Sequence, residues 1–175
     1  AVKGIGGYHL ACDASSPAAV RTLRERKRRE EKPLAVMVRD LAEARALAET
    51  GPAEEAPLAG VERPIVLCRR RPGAALAPEI APDSPLVGLL LPYAPLHHLL
   101  FRHLDVPLVM TSANRSDEPI ACRNEDALER LSGLADYFVF HDREILVRCD
   151  DSVLTLFRKK DYPFRRSRGI VPRIV

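Results

Sequence analysis

Short apolar runs alternate along this chain with segments of helical periodicity, and this alternation limits the possible folds more than any other feature. Strands are predicted at the apolar runs, which are residues 34–38, 64–68, 86–91, 107–112, 137–141 and 153–157. Helices are predicted from Pro17 up to the break at Pro33, and over residues 40–49, 96–104 and 125–131, with Ser16, Asp40 and Asn124 as caps. This order is typical of an α/β domain and predicts a twisted, open, mixed sheet with flanking helices.

The composition predicts a single aliphatic core. The chain has 175 residues, of which 46% are hydrophobic and 5% aromatic, and it contains no tryptophan. A chain of this length can bury one sizeable core, so we expect one domain over residues 1–175. Its 15 prolines and 9 glycines imply many loops, and the proline- and alanine-rich stretch 71–85 is predicted to be a long one.

Cysteine spacing and hydropathy indicate the cellular compartment. The four cysteines lie far apart and include no CxxC pair. The sequence therefore predicts no zinc site and no disulfide framework. The longest uncharged stretch, residues 85–101, is interrupted by Pro92 and Pro95 and falls short of a membrane span. We therefore expect a cytoplasmic protein with reduced thiols and no membrane contact.

Positive charge is concentrated in two segments that are far apart in the sequence. Residues 21–32 contain seven basic and three acidic residues, and residues 158–173 contain seven basic and one acidic residue. The two segments together carry +10 whereas the whole chain carries +3, so the remainder is acidic. Two solvated surfaces would explain this pattern, but segments that meet in the fold would form an anion site.

Lys27 lies on the inward row of the first predicted helix, together with Val20 and Leu23. It can be a lysine whose stem packs on the core while its charge reaches water at the helix end. Alternatively, Lys27 and Arg29 are two fixed cations that reach phosphate oxygens, with arginine supplying a planar fork. Arg29 is two residues further on and shares that face only if the helix unwinds after Lys27.

Further polar residues follow predicted strands and turns. Ser112 and Asn114 lie where an apolar strand ends, which is where ligands bind in open α/β sheets, although an ordinary capped turn explains them equally well. Gly6 and Gly7 form a turn before His9 that fits no phosphate-loop pattern. The sequence Asp150-Asp151-Ser152 is compatible with Mg²⁺ binding or with a loop end.

Six segments taken together resemble the YrdC-like domain of the hydrogenase maturation carbamoyltransferases called HypF. They occur in the same order and span nearly the whole chain: residues 3–14 (KGIGGYHLACDA), 24–37, 91–98 (LPYAPLHH), 111–114 (TSAN), 150–153 (DDSV) and 165–169 (RRSRG). HypF proteins are larger, so the resemblance implies one YrdC-like domain of a HypF-type chain.

The resemblance implies an ATP-dependent reaction of carbamate, which is derived from carbamoyl phosphate, to carbamoyl adenylate and pyrophosphate. The family's Lys-x-Arg and Ser-x-Asn pairs fall on Lys27 with Arg29 and on Ser112 with Asn114. Lys27 and Arg29 are then the catalytic cations. The resemblance also implies that Ser152 and either Arg166 or Arg168 contact the nucleotide. It implies that Gly6, Gly7 and His9 contact the carbamoyl group. Mg²⁺ is the ion expected to accompany ATP. The resemblance further implies a Kae1-like domain of the same enzyme and a HypE-type acceptor protein as partners.

Two alternatives remain open. Stand-alone YrdC proteins make threonylcarbamoyl adenylate for tRNA modification and usually carry a Pro-Thr-Glu-Thr-x-Tyr-Gly-Leu segment, whereas this chain has KGIGGYHL at residues 3–10. The missing threonines favour the HypF-like reaction. A double-stranded RNA- or tRNA-binding module is the other alternative, because the two basic segments suit phosphates; against it, aromatic residues are scarce among them.

Overall fold

The computed structural model describes residues 1–114, 118–158 and 160–172. Within these ranges, nine strands form one sheet. They are β1 (Val2–Lys3), β2 (Tyr8–Asp13), β3 (Ala35–Met37), β4 (Ala48–Glu49), β5 (Ile65–Arg70), β6 (Leu86–Leu90), β7 (Leu108–Ser112), β8 (Val153–Phe157) and β9 (Lys160–Arg165).

The strand order is β1-β2-β7-β3-β6-β5-β8-β9, and β4 pairs with β5 outside this path. The β3–β6 and β5–β8 pairs are parallel, whereas the remaining pairs are antiparallel. The sheet does not close on itself. The predicted fold class, a twisted open mixed sheet with flanking helices, is therefore confirmed.

The helices cover the two faces of the sheet unequally. They are α1 (Pro17–Lys27), α2 (Leu41–Leu47), α3 (Pro52–Ala59), α4 (Pro95–Phe101) and α5 (Asn124–Arg130), with a 3-10 turn at Pro78–Ile80. Helices α1, α2, α3 and α5 pack into the larger apolar cluster, which includes Val36 and Val109. Among these described helices, α4 alone contributes to the smaller cluster on the opposite face, around Met37 and Met110. Much of that second face is left without a helix. No helix in the described ranges is long and apolar enough to cross a membrane.

The end of α1 differs from the prediction in a way that matters for the site. The helix ends at Lys27 instead of continuing to Pro33, because Arg28 adopts a left-handed conformation with φ 52°. The N–H groups of Arg28 and Arg29 then bond to the carbonyls of Glu25 and Arg24. The residues from Arg28 to Pro33 consequently leave the helix as a loop, which we call the 28–33 loop.

Several observed elements were not predicted from the sequence, and one predicted strand is wrong. Sequence reasoning missed β2, β4, α3 and β9; in α3, Pro57 lies within the helix and hides its helical pattern. The strand predicted at residues 137–141 is wrong, because only Val139 forms an isolated bridge, to Val2. Asn124 is not a cap. It begins α5, and its Oδ1 accepts a 2.7 Å hydrogen bond from the hydroxyl of Tyr8.

Candidate functional site

A pocket of about 280 Å³ opens on the face of the sheet that lacks a helical cover. Its floor consists of strand residues, among them Ala35, Ile65, Gly88 and Met110. Gly88 of β6 leaves room for the side chain of Ile65 on β5, because a Cβ at Gly88 would lie 2.8 Å from Cγ2 of Ile65. The walls carry charged and polar side chains: His9, Arg29, Lys32, Thr111, Ser112, Asp150, Asp151 and Arg165.

Lys27 reaches the end of β7 from the last turn of α1. It is buried, and its Nζ donates to the carbonyls of Ser112 at 2.6 Å and Asn114 at 2.9 Å, and to Oδ1 of Asn114 at 3.1 Å. Burial, with the nearby charges of Arg29 and Lys32, lowers the pKa of Lys27 to about 8. The predicted inward position of Lys27 is confirmed. A lysine held in this way among positive charges gains most from a nearby anion.

Arg29 lies beside the pocket because the helix unwinds after Lys27. Its Nε donates to the carbonyl of Lys32 at 3.0 Å and its Nη2 to that of Pro33, while Nη1 lies 3.4 Å from Oγ1 of Thr111. Burial, with the charges of Arg24 and Arg165, lowers the pKa of Arg29 to about 10. The guanidinium is therefore held in place by neutral oxygens in a strongly positive environment.

The two basic segments meet at this pocket. Arg29 and Lys32 come from the first segment and Arg165 from the second. Within the part of the chain that the structure describes, none of the three is within ion-pair distance of a carboxylate. Lys159 and Arg173, which belong to the second segment, lie outside the described residues. Three cations around one cavity without a carboxylate partner are the electrostatic pattern of an anion site.

Ser112 and Asn114 are held together beside Lys27. The hydroxyl of Ser112 donates to Oδ1 of Asn114 at 2.9 Å, and Nδ2 of Asn114 donates to the carbonyl of Glu118 at 2.7 Å. Ser112 also lines the pocket. The structure thus brings together the four residues of the Lys-x-Arg and Ser-x-Asn pairs, although they lie about 85 positions apart in the sequence.

His9 lies at the pocket wall in a buried polar network that sequence reasoning missed. Its Nε2 is 3.0 Å from Oδ2 of Asp151 and 3.3 Å from the hydroxyl of Tyr93, and Nε of Arg168 donates to the other Asp151 oxygen at 2.7 Å. Burial alone would raise the pKa of Asp151, but His9 and Arg168 hold it well below its ordinary value. Because the carboxylate is ionised, Nε2–H of His9 is the donor. Each of the four residues lies in one of the motif segments quoted above, and Tyr93 belongs to LPYAPLHH, but local sequence patterns did not indicate that they meet.

His97 packs behind this network as a neutral residue. Its ring lies edge to face against Tyr93 with a centroid distance of 4.6 Å. Burial, together with the charge of His9, lowers the pKa of His97 to about 3. This fully buried histidine therefore has a packing role.

Two of the predicted nucleotide-binding residues, Ser152 and Arg168, make hydrogen bonds to other residues of the chain. Ser152 is fully buried; its hydroxyl accepts from the N–H of Ser167 at 2.8 Å and donates to the carbonyl of Arg168 at 2.9 Å. Besides its bond to Asp151, Arg168 donates to the carbonyls of Glu62 and Arg63 and lies 3.5 Å from the centroid of the Tyr93 ring. Arg166 is exposed and is not one of the pocket-lining residues. Arg165, which sequence reasoning overlooked in the same RRSRG segment, lines the pocket instead.

Gly6 and Gly7 lie against other parts of the chain. A Cβ on Gly6 would overlap the carbonyl oxygen of Cys149 and lie 2.5 Å from its Sγ. A Cβ on Gly7 would lie 2.5 Å from Cδ1 of Ile120, which itself lines the pocket. Close packing against backbone therefore already requires glycine at position 6, whereas a Cβ at position 7 would displace the side chain of Ile120.

Acidic side chains near the pocket are few. The described residues contain no group of three or more histidine, cysteine or acidic side chains that could hold a metal ion by themselves. Both carboxylate oxygens of Asp151 are engaged by His9 and Arg168. Asp150 also lines the pocket, and its carboxylate suits Mg²⁺, which prefers one or two carboxylates together with substrate phosphates.

Comparison with known proteins gives consistent matches. The Sua5_yciO_yrdC family model, described as "Telomere recombination", matches residues 1–167. Carbamoyltransferase HypF2 of Cupriavidus necator is 46% identical over 196 residues, and carbamoyltransferase HypF of Rhizobium leguminosarum bv. viciae is 48% identical over 182 residues. Each alignment covers 100% of this chain and 24% of the relative.

A solved structure agrees with these matches. The crystal structure of full-length HypF in the phosphate- and nucleotide-bound form superposes with a TM-score of 0.95 at 46% identity, covering 98% of this chain and 27% of that one. The chain thus spans about a quarter of the length of the curated relatives that it matches.

Proposed function

The chain belongs to the Sua5/YciO/YrdC family, and we propose that it forms carbamoyl adenylate from carbamate and ATP with release of pyrophosphate. The relatives that it matches along its whole length are named carbamoyltransferases. The observation that carries the proposal is the convergence of Arg29, Lys32 and Arg165 on one pocket, without a carboxylate partner among the described residues. Such a pocket attracts a polyanion such as the triphosphate group of ATP.

The proposed reaction requires no general base. A carbamate oxygen, already anionic, attacks the α-phosphorus; the new P–O bond replaces the bond to the bridging oxygen, and pyrophosphate leaves with that electron pair. The protein needs to position the two anions and stabilise the charge that develops on the phosphate oxygens. The lysine and arginine side chains at this pocket suit that task.

Lys27 and Arg29 are the proposed catalytic cations. Lys27 has all three donors directed at oxygens of Ser112 and Asn114, so a phosphate oxygen that arrives there replaces a neutral partner with a charged one. Ser112 and Asn114 would orient the nucleotide and the acyl group. Mg²⁺ would neutralise the phosphates and draw on Asp150 as its protein ligand. His9, Gly6 and Gly7 remain proposed contacts of the carbamoyl group, and Ser152, Arg166 and Arg168 remain proposed contacts of the nucleotide.

The same proposal places the reaction within carbamoyl transfer for hydrogenase maturation. Carbamate would come from carbamoyl phosphate, and the carbamoyl group would pass to a Kae1-like domain of the same enzyme and then to a HypE-type protein. The support is that the matched relatives are about four times longer than this chain and are named carbamoyltransferases.

The proposal can be tested by supplying substrates one at a time. The protein is incubated with ATP, Mg²⁺ and ammonium carbamate or carbamoyl phosphate, and carbamoyl adenylate and pyrophosphate are measured by mass spectrometry. We expect an adenylate that requires carbamate and does not require L-threonine. A product formed only with threonine and bicarbonate would instead assign threonylcarbamoyl adenylate synthesis, and tRNA binding that ATP leaves unchanged would favour a nucleic-acid module.

Two arginine variants provide the matched control. Arg29→Gln removes a charge at the pocket, and we expect it to lower adenylate formation by about a hundredfold or more. Arg102→Gln removes the same charge from an exposed position after α4 and should leave the rate unchanged. Equal rates in the two variants would contradict the proposed role of the pocket.

A further inference from the structure

Arg24 binds the 28–33 loop through hydrogen bonds to backbone carbonyls of that loop. Its side chain is buried, and its guanidinium makes five hydrogen bonds, all to backbone carbonyls. Nη1 donates to Arg29 at 2.9 Å and Glu30 at 3.0 Å, and Nη2 to Lys32 at 3.3 Å. These three acceptors span the loop that carries the pocket cations Arg29 and Lys32.

The same guanidinium fastens the loop to the rest of the fold. Nε donates to the carbonyl of Glu79 at 2.6 Å, and Nη2 lies 3.4 Å from that of Ile80, in the 3-10 turn. The Ile80 carbonyl also accepts from the N–H of Leu34 at 2.8 Å, directly before β3. One side chain therefore connects the end of α1, the loop, the 3-10 turn and the start of a central strand.

We propose that Arg24 is the positioning residue of the anion site: it folds the 28–33 loop so that Arg29 and Lys32 face the pocket. This inference rests on the proposed function only in taking the pocket as a phosphate site. Arg24 itself does not line the pocket. It acts through the loop and not by contact with the ligand.

The chemistry of the loop explains why an arginine is required. The 28–33 loop lies outside helix and sheet, so its carbonyl oxygens have no partners from regular secondary structure, and their partial negative charges would repel phosphate. Arg24 binds three of these loop oxygens and adds a positive charge that also acts on Arg29. Only a planar fork with several donors can reach acceptors in both the loop and the 3-10 turn, so a lysine cannot replace it.

The affinity for inorganic pyrophosphate, measured by titration calorimetry, tests this inference. Arg24→Lys keeps the charge and removes the fork, and we expect binding at least about tenfold weaker than in the wild type. Arg26→Lys makes the same exchange on an exposed position of the same helix, where the side chain pairs with Asp136, and should leave the affinity unchanged. An unchanged affinity in Arg24→Lys would overturn the inference.

A double-mutant comparison separates positioning from general stability. If Arg24 acts through Arg29, most of the loss caused by Arg24→Lys disappears in an Arg29→Gln background, leaving at most about a threefold effect. If Arg24 only stabilises the fold, its substitution weakens binding by the same factor in both backgrounds. That result would overturn the positioning role.

Loop cleavage provides a readout that does not depend on ligand. Trypsin cuts after Arg28 and Arg29, and the wild-type loop should resist it because its carbonyls are bound. We expect cleavage there to be at least about tenfold faster in Arg24→Lys, with no change in Arg26→Lys. If Arg24→Lys fails to fold, Arg24→Gln serves instead, because it leaves no ammonium group buried. Equal cleavage of a folded Arg24 variant and the wild type would contradict the inference.

The two proposals fail in different ways. If the wild type binds pyrophosphate but forms no carbamoyl adenylate, the proposed reaction fails while the Arg24 experiments still decide the role of Arg24. If the wild type binds neither pyrophosphate nor ATP, there is no phosphate site, and both proposals are overturned.

Discussion

The surroundings of Lys27 disfavour the protonated, positively charged form of its amine. Burial and the two neighbouring cations lower its pKa to about 8, and its three partners are neutral oxygens. A bound anion would remove most of this penalty, because it supplies the missing negative charge. Ligand binding and protonation of Lys27 should therefore be linked.

This linkage predicts proton uptake when nucleotide binds. At pH 8.5 a large share of Lys27 is neutral in the free protein, while ATP is fully ionised, so binding should take up a fraction of a proton. Above pH 8 the affinity for ATP should accordingly fall as the pH rises. Titration calorimetry in buffers of different ionisation enthalpy measures the uptake. Lys27→Met should bind weakly and take up no proton; the same uptake in that variant would assign the proton to another group.

Substitution of Gly6 distinguishes a role in packing from a contact with the ligand. Because a Cβ there would overlap Cys149, we expect Gly6→Ala to lower the free energy of unfolding by about 1–3 kcal/mol in urea titrations. Gly133 has open space at its Cβ position, so Gly133→Ala should change stability by less than about 0.5 kcal/mol. A Gly6→Ala protein of full stability that forms no adenylate would support a carbamoyl contact instead.

At the scale of elements, the C-terminal hairpin carries a pocket residue on an edge of the sheet. Strand β9 is exposed along its length and pairs only with β8 in the described part of the chain. In the tail that follows β9, the hydroxyl of Ser152 bonds to the N–H of Ser167 and to the carbonyl of Arg168. The side chain of Arg168 also donates to the carboxylate of Asp151. These bonds hold the tail directly after Arg165, whose Nε itself donates to the carbonyl of Asp151 at 2.8 Å.

Removing the Ser152 hydroxyl should loosen this tail. Ser152→Ala loses the two hydrogen bonds of a buried serine, and we expect an unfolding free energy lower by about 1–3 kcal/mol. The Ser167 amide, which loses its acceptor, should exchange its hydrogen faster. Ser132→Ala removes an exposed hydroxyl that bonds only to the Glu129 carbonyl, and should change neither quantity. Unchanged exchange at Ser167 in Ser152→Ala would show that the tail is held by other contacts.

For the whole molecule, the unequal covering of the sheet creates the site. Four helices bury one face, while on the other face α4 covers one end and the remainder forms the floor of the pocket. The small residues Ala35 and Gly88 in two central strands leave room there. Charged side chains from distant segments then surround an apolar floor.

Filling that floor should weaken ATP binding without unfolding the protein. Ala35→Leu extends a side chain into a cavity of about 280 Å³, so we expect the affinity for ATP to fall at least about tenfold while stability changes by less than about 1 kcal/mol. Ala42→Leu adds the same atoms at an exposed position of α2 and should leave binding unchanged. Normal ATP affinity in a folded Ala35→Leu protein would place the nucleotide elsewhere.

Several features of the fold and the site followed from local patterns. The apolar runs predicted β3, β5, β6, β7 and β8, because buried strands need such runs, and the helical row predicted that Lys27 points inward. Asp40 was predicted to cap α2, and its carboxylate does accept from the N–H of Glu43. Elements that depend on distant partners were missed: β9 is fully exposed and exists through its pairing with β8.

The sequence by itself determined the fold class, the family and the presence of two basic segments, because these depend on periodicity, motif order and charge along the chain. Only the tertiary structure decided where those charges lie. The left-handed turn at Arg28 directs Arg29 to the pocket, and pairing of β8 with β9 brings Arg165 to the same cavity. The network of His9, Asp151, Tyr93 and Arg168 likewise joins residues from the start, the middle and the end of the chain. Such contacts arise from long-range packing, which local sequence patterns do not specify.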